Sequence, residues 1–185
     1  MLKIKPSKGR LLIAEPSILN DKSFNRSVIF LTEHNNDGTI GFILNKPSEF
    51  TIVDLIPDID CDFVIYNGGP VEQENLYFIH KIPELITDSV HIANNIYWGG
   101  NFEKLTALLN NNKIKADDIR FFLGYSGWSQ EQLNTELLES SWVVIENKFE
   151  NLFSVESDEF WKNQLLKFGG EYQIWANAPE DPALN

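Results

Sequence analysis

The sequence predicts an α+β domain built on a largely antiparallel sheet, and three observations carry that prediction. Short β-branched and aromatic segments follow one another through the first half of the chain. Two of them are joined by a tight turn ending in Asp37-Gly38. Amphipathic helical segments interrupt only the later strands, and strands massed before helices favour antiparallel pairing over strict strand–helix alternation.

Residues 9–14 (Gly-Arg-Leu-Leu-Ile-Ala) read as a first strand, stopped by Pro16. Residues 27–33 and 39–44 follow as a hairpin pair. The intervening His34-Asn35-Asn36-Asp37-Gly38 supplies the Asp-Gly step that a tight turn requires. Thr51 caps a short helical turn through Leu55, ended by Pro57. Further strands are expected at 62–66, 76–81, 89–93, 119–125 and 141–146. The first helix starts at Asn101 and carries Leu105, Leu108 and Leu109 on one face before Asn110-Asn111-Asn112 ends it. The second starts after Ser129, with Leu133 and Leu137 four apart. The third spans 158–168, where Trp161, Leu165 and Phe168 form one apolar stripe and Gly169-Gly170 stops it. The end, Asn177 to Asn185, is an acidic, Pro-containing tail expected to be loosely held.

A chain of 185 residues with 43% apolar content and thirteen Phe fits one domain over residues 1–185. A domain of that size buries roughly 70% of the surface its unfolded chain exposes, which excludes disorder for most of the chain. The net charge is −12 and the pI about 4.6. Such a surface repels phosphate backbones, because nucleic-acid affinity comes mainly from Lys and Arg neutralising phosphates. The densest basic cluster, Lys3, Lys5, Lys8 and Arg10, reads as solubility. The single cysteine, Cys61, fits a reducing compartment. Asp60 and Asp62 beside it raise a thiol pKa, so it is not read as a nucleophile. No apolar run approaches the ~20 residues that span a bilayer, and Pro6-Ser7-Lys8 stands where a signal peptide needs apolar residues. A cytoplasmic protein without membrane contact is expected.

Gly124-Tyr125-Ser126-Gly127-Trp128 invites comparison with a nucleophile elbow, since Gly124 and Ser126 have its spacing. Trp128 follows where that motif keeps the turn small, so the segment reads instead as a glycine-enabled turn anchored by an indole. Ser129-Gln130-Glu131-Gln132 matches a capping box, and Trp128, Gln132 and Glu136 are spaced to share one side of the helical start. Gly68-Gly69-Pro70-Val71 lacks the Lys-Ser or Lys-Thr of a phosphate loop and reads as a special turn. His34, His80 and His91 belong to no metal-ligand pattern, and no cofactor motif is present. Glu33-His34 sits where a strand meets its turn, and Asn45-Lys46-Pro47 is expected to line the same edge.

Taken in order, six segments carry a resemblance. They are Leu11-Leu12-Ile13-Ala14 before Pro16, Phe24-Asn25-Arg26-Ser27-Val28, Glu33-His34 with Gly41 to Pro47, Gly68 to Val71, Gly124 to Trp128, and Gln132-Leu133-x-x-Glu136. Together they resemble the AlgH/YqgE family of bacterial proteins over nearly the whole chain. The resemblance implies a bulged, mostly antiparallel, barrel-like sheet with helices packed around it, in a bacterial cytoplasm. Some family members are labelled putative transcriptional regulators, most are described as uncharacterised, and many have Ala at the position of Ser126.

The expected role is a binding or regulatory module that recognises an unidentified small ligand or protein partner and influences transcription indirectly. Its candidate cleft is lined by His34, Asn45, Gly68, Gly69, Trp128, Gln132 and Glu136, with no catalytic residue, metal or cofactor. The alternative is a hydrolytic enzyme using His34 with Ser126 or Glu136. Direct DNA binding is disfavoured by the charge of −12 and by the lack of a helix-turn-helix, zinc ligands or a basic recognition helix.

Overall fold

The computed structural model describes residues 4–18, 21–148, 152–154 and 158–178. From residue 179 on, the expected acidic tail lies outside the described residues. The strands are β1 (Leu11–Ala14), β2 (Val28–Asn35), β3 (Gly38–Ile43), β4 (Pro47–Thr51), β5 (Val64–Asn67), β6 (Val71–His80), β7 (Val90–Ala93), β8 (Ile96–Trp98), β9 (Ile119–Trp128) and β10 (Trp142–Ile145). The helices are α1 (Ile52–Leu55), α2 (Phe102–Asn110), α3 (Gln130–Leu138), α4 (Asp158–Phe168) and α5 (Tyr172–Ala176).

The ten strands form one sheet in the order β10-β1-β2-β3-β9-β6-β8-β7, with β5 attached to β9 and β4 to β5. Every pairing is antiparallel except that of β5 with β9. The register slips at Leu31/Glu33, Pro47/Thr51, Val71/Leu76 and His91/Ala93, and such bulges increase local twist and bend the sheet. The curl brings the two end strands together without joining them into a ladder. Asn94, in the β7–β8 turn, donates its side-chain amide to the Asn147 carbonyl just past β10 at 3.1 Å. Gly9, just before β1, faces Ala93 so closely that an added Cβ would lie 2.4 Å from the alanine Cβ. The α+β class and the bulged, barrel-like, mostly antiparallel sheet are therefore present, and the barrel stays unclosed.

Strand β9 divides two cores. Phe121 and Phe122 are both buried, and the pleat sends them to opposite faces. Phe122 joins Leu11, Phe30, Phe42 and Trp161 in the larger core, while Phe121 joins Ile52, Ile65, Leu105 and Leu109 in the smaller one. Helix α4 closes the larger core through Trp161 and Leu165, and the Trp161 indole donates to the Ala14 carbonyl at 2.7 Å. The Tyr172 hydroxyl bonds Glu15 at 2.9 Å, fixing α5 beside the end of β1. Burial and the adjacent carboxylate push that phenol up to about 12. No helix among the described residues is long and apolar enough to cross a membrane.

Several expectations need correction. The segment 124–128 is not a turn, because it continues β9 to Trp128. Ser126 lies inside the ladder opposite Gly41, and Trp128 pairs with Thr39. Strand β6 begins at Val71 rather than 76, reached across the bulge after Val71. The hairpin partner β8 was unforeseen, although Asn94 and Asn95 both take positive φ (48° and 60°), a backbone that Asn tolerates in tight hairpin turns. Strand β4 and helix α5 were also unforeseen. β4 opens on proline and continues Ser-Glu, residues poor in strand preference, and holds its conformation by pairing with β5.

Candidate functional site

The motif segments meet around β9. At Gly124 the backbone turns left-handed (φ 66°), and the strand exchanges partners there. Before Gly124, β9 pairs with β5 and β6; after it, Tyr125 still pairs with Val71 of β6, and Ser126 to Trp128 pair with β3. Gly68 and Gly69 pass through this junction. Gly68 donates its N–H to the Leu123 carbonyl at 2.8 Å, and its own carbonyl accepts from Ile43 N and from the Ser126 hydroxyl, both at 3.0 Å. A Cβ at Gly68 would lie 2.3 Å from the Gly124 carbonyl oxygen, and one at Gly69 (φ 154°) 2.2 Å from that of Tyr125. The two glycine motifs are thus two halves of one backbone crossing. Both residues are buried and offer no open nest to an anion.

The conspicuous side chains of the motifs lie on one face of β2, β3 and β9. His34, Thr39 and Trp128 form a cross-strand row, so the pleat turns all three the same way. His34 Nδ1 is 2.7 Å from the Thr39 hydroxyl. Helix α3 lies over this face, started by Ser129, whose hydroxyl accepts from Gln132 N at 3.2 Å. The reciprocal half of the expected capping box is not made, because the Gln132 amide turns to Glu136 Oε1 instead (2.9 Å). Glu136 Oε2 accepts from the Trp128 indole at 2.8 Å and from the Trp142 indole at 2.7 Å. Phe24 stacks on Trp128 (5.7 Å between centroids) and meets Trp142 edge-on at 5.4 Å. The carboxylate is the centre of a knot that pins α3 to β9 and β10.

This geometry sorts the seven candidate residues. Trp128, Gln132 and Glu136 come together, with each polar group engaged by another. His34 joins the row on β2, with Thr39 between it and Trp128. Gly68 and Gly69 lie beneath β9 as the crossing. Asn45 is at the far end of the β2–β3 hairpin and does not share the His34 edge, because antiparallel strands carry the chain back toward Val28. Its side chain is buried, accepting from Val28 N and donating to the Arg26 carbonyl, both at 2.8 Å. No hydrolytic pair is assembled. Ser126 is fully buried with its hydroxyl on Gly68, Glu136 accepts from two indoles and the Gln132 amide, and His34 Nδ1 is paired with the Thr39 hydroxyl. Among the described residues no group of three or more His, Cys, Asp or Glu side chains is placed to hold a metal.

The opening lies on the other face of the same strands. Glu33 pairs with Ile40, and Ile40 with Gly127, so these three point away from the knot together with Tyr125, two residues before Gly127. They border a groove of about 220 Å³ between the β2–β3 turn and the end of β9, completed by Asn35, Asp37 and Gly38 at the turn and by Thr39 and Trp128 of the row. The Tyr125 ring leans over Gly127, whose added Cβ would lie 3.1 Å from Tyr125 Cε2. Tyr125 also meets Tyr77 edge-on at 5.8 Å. The Glu33 carboxylate accepts from Asn35 at 2.7 Å, and Asn35 in turn shapes the turn by accepting from Asp37 N at 2.8 Å. Asp37, Tyr125 and Gly127 are not among the lining residues expected from the sequence, and Glu33 is singled out there only beside His34. The available signal was alternation: each stands at odd spacing from the His or Trp that drew attention.

Comparison with known proteins agrees with this fold. The AlgH-like family model matches residues 11–173. A UPF0301 protein of Cytophaga hutchinsonii is 41% identical over 181 residues, covering 97% of this chain and 99% of the relative. A UPF0301 protein of Chlorobaculum tepidum is 40% identical over 183 residues, covering 98% and 96%. Two solved structures share the fold. A Corynebacterium diphtheriae protein superposes with a TM-score of 0.76 at 20% identity, over 96% of this chain and 95% of that one. The solution structure of the AlgH protein from Pseudomonas aeruginosa does so with 0.70 at 22% identity, over 97% and 98%.

Proposed function

The chain belongs to the AlgH-like family, and on the two unlike faces of β3 and β9 we propose that it is a binding module that docks a protein partner through the groove at the β2–β3 turn. The observation that carries this reading is the groove's size and lining. At about 220 Å³ it falls below the roughly 300–1,000 Å³ of sites that enclose a drug-sized ligand. One side chain of a partner fits that volume. The carboxylates of Glu33 and Asp37 with the Tyr125 ring suit a Lys or Arg head, held by charge and by the ring face. Any influence on transcription then passes through that partner, because a chain of net charge −12 is repelled by the phosphate backbone.

The test is amide-shift mapping of the full chain titrated with N-acetyl-arginine-amide and N-acetyl-lysine-amide. Shifts are expected to cluster at residues 33–40 and 125–128, and to vanish in a Glu33→Gln, Asp37→Asn double variant. Silence in those segments at millimolar ligand, or shifts that survive the double variant, would sink the reading.

A further inference from the structure

A bulge on β6 stands beside Tyr125, at the wall of the groove. Val71 pairs with Tyr125 and Leu76 with Leu123, so Glu72-Gln73-Glu74-Asn75 are set opposite Gly124 alone. The bulge is fixed against the backbone crossing. A Cβ added at Gly124 would lie 2.7 Å from the Val71 carbonyl oxygen and 3.2 Å from the Gln73 Cα. Glu72 carries the reversal with φ 48°, a left-handed backbone uncommon outside glycine. All four residues of the bulge are exposed.

Two contacts join this bulge to the groove. The Cβ position of Gly127 has Tyr125 Cε2 at 3.1 Å and Val71 Cγ2 at 4.0 Å, and both Tyr125 and Gly127 line the groove. The Tyr125 ring meets Tyr77 edge-on at 5.8 Å, and the Tyr77 hydroxyl donates to Glu72 Oε2. Asn75 donates its side-chain amide to that same oxygen at 2.9 Å. The Tyr77 bond, helped by Asn75, holds the Glu72 carboxyl below its ordinary range, and the same bond pushes the Tyr77 phenol up. Glu72 is therefore ionised at neutral pH and held by a rigid ring. Both bonds fall on Oε2, which leaves Oε1 to accept from a further donor. Ordering a long acidic side chain costs rotamer entropy, and here the fold has met that cost before any partner arrives.

We infer that Glu72, positioned by Tyr77, is a second cation subsite of the groove, so that the docked partner segment carries two basic residues. One head enters between Glu33 and Asp37, and the other passes Tyr125 to reach Glu72 Oε1. The inference rests on the groove reading, because the first head anchors the second. The chain of contacts limits the spacing. From the Tyr125 ring centre through Tyr77 to the Glu72 carboxylate is at most roughly 11 Å. Basic residues at i and i+2 of an extended segment point the same way, with Cα atoms about 7 Å apart, and their long flexible side chains cover the remainder.

The probes are Ac-Arg-Gly-Arg-amide and the single-arginine Ac-Arg-Gly-Gln-amide, titrated into the full chain by amide-shift mapping. Two arginines double the chance of filling one site, so a twofold gain alone carries no second contact. The dibasic peptide is expected to bind about tenfold more tightly than the single-arginine one, the excess over twofold coming from one exposed charge pair. Amides of residues 71–77 shift with the dibasic peptide and stay still with the other. In Glu72→Gln the gain falls to about twofold while single-arginine binding is unchanged. Glu74→Gln removes the same charge from the same bulge and keeps the full gain, which separates a placed carboxylate from general attraction to a chain of net charge −12. Tyr77→Phe frees the Glu72 side chain and gives an intermediate gain. Circular dichroism and urea midpoints check that each variant is folded. A gain of twofold or less in the parent, a gain that survives Glu72→Gln, or an equal loss in Glu74→Gln would overturn the inference and leave the groove standing. No binding of either peptide would remove the groove and the inference with it.

Discussion

The two faces of β2, β3 and β9 have opposite fates although they are built from alternate residues of the same strands. One face carries His34, Thr39 and Trp128 and is partly covered by α3, with the Glu136 carboxylate receiving two indoles and one amide. The other carries Glu33, Ile40, Tyr125 and Gly127 and stays open as a groove. Trp128 and Glu136, prominent in the sequence, are therefore residues that hold the helix in place. The open side is made by their quieter neighbours. Buried polar groups must be satisfied and become structural by that demand, whereas groups at an open groove retain capacity for a partner.

The largest test of this contrast strikes the crossing on which both faces depend. Gly69→Ala places a Cβ 2.2 Å from the Tyr125 carbonyl oxygen, on a backbone with φ 154°. It is expected to cost about 3 kcal/mol or more in urea unfolding and to erase both faces together. Loss of the groove alone, with the Trp128 knot intact by near-ultraviolet dichroism, would show that the crossing serves one face only.

Next in size is the knot itself. Glu136→Ala strands the indole N–H groups of the buried Trp128 and Trp142, at an expected cost of about 2–4 kcal/mol. Tryptophan emission should shift as the cage loosens, while cation shifts at residues 33–40 persist. If the variant unfolds as the parent does, the covered face is not held by this carboxylate.

A smaller effect is expected with pH, and it comes from a histidine away from both faces. Burial holds His80 below the usual value of 6.5, opposed by its bond to the Gly99 carbonyl and by Glu84. Nε2 donates to that carbonyl at 3.0 Å, which leaves Nδ1 to accept from Ile82 N at 3.2 Å, so the fold selects the neutral ring. Its folded pKa lies below the unfolded one. The associated stability is therefore complete above about pH 6.5 and is lost as pH falls below it. Urea midpoints between pH 5 and 8 should decline on the acid side and flatten in His80→Gln.

The smallest change in stability belongs to the open face. Glu33→Gln and Asp37→Asn are expected to stay within about 0.5 kcal/mol of the parent while abolishing the response to the arginine and lysine amides. A large loss of stability there would move Glu33 to the structural side of the comparison.

Much of this was legible in the chain. Alternation and the Asp37-Gly38 turn set out the β2–β3 hairpin, Asn101 and Ser129 marked helix starts that are real caps, and Trp161 with Leu165 marked the face of α4 that is buried. These depend on contacts a few residues apart, which local sequence encodes. What only the tertiary structure decided is long-range. Gly68 and Gly69 proved to be the counterpart of Gly124, more than fifty residues away. Asn45 went to the opposite end of the hairpin from His34, and Ser126 turned inward onto Gly68. Whether a motif residue faces a helix or a groove is set by strand register, and a shift of one residue exchanges the two faces. Composition and spacing do not encode that parity, because the partner strand and the covering helix determine it.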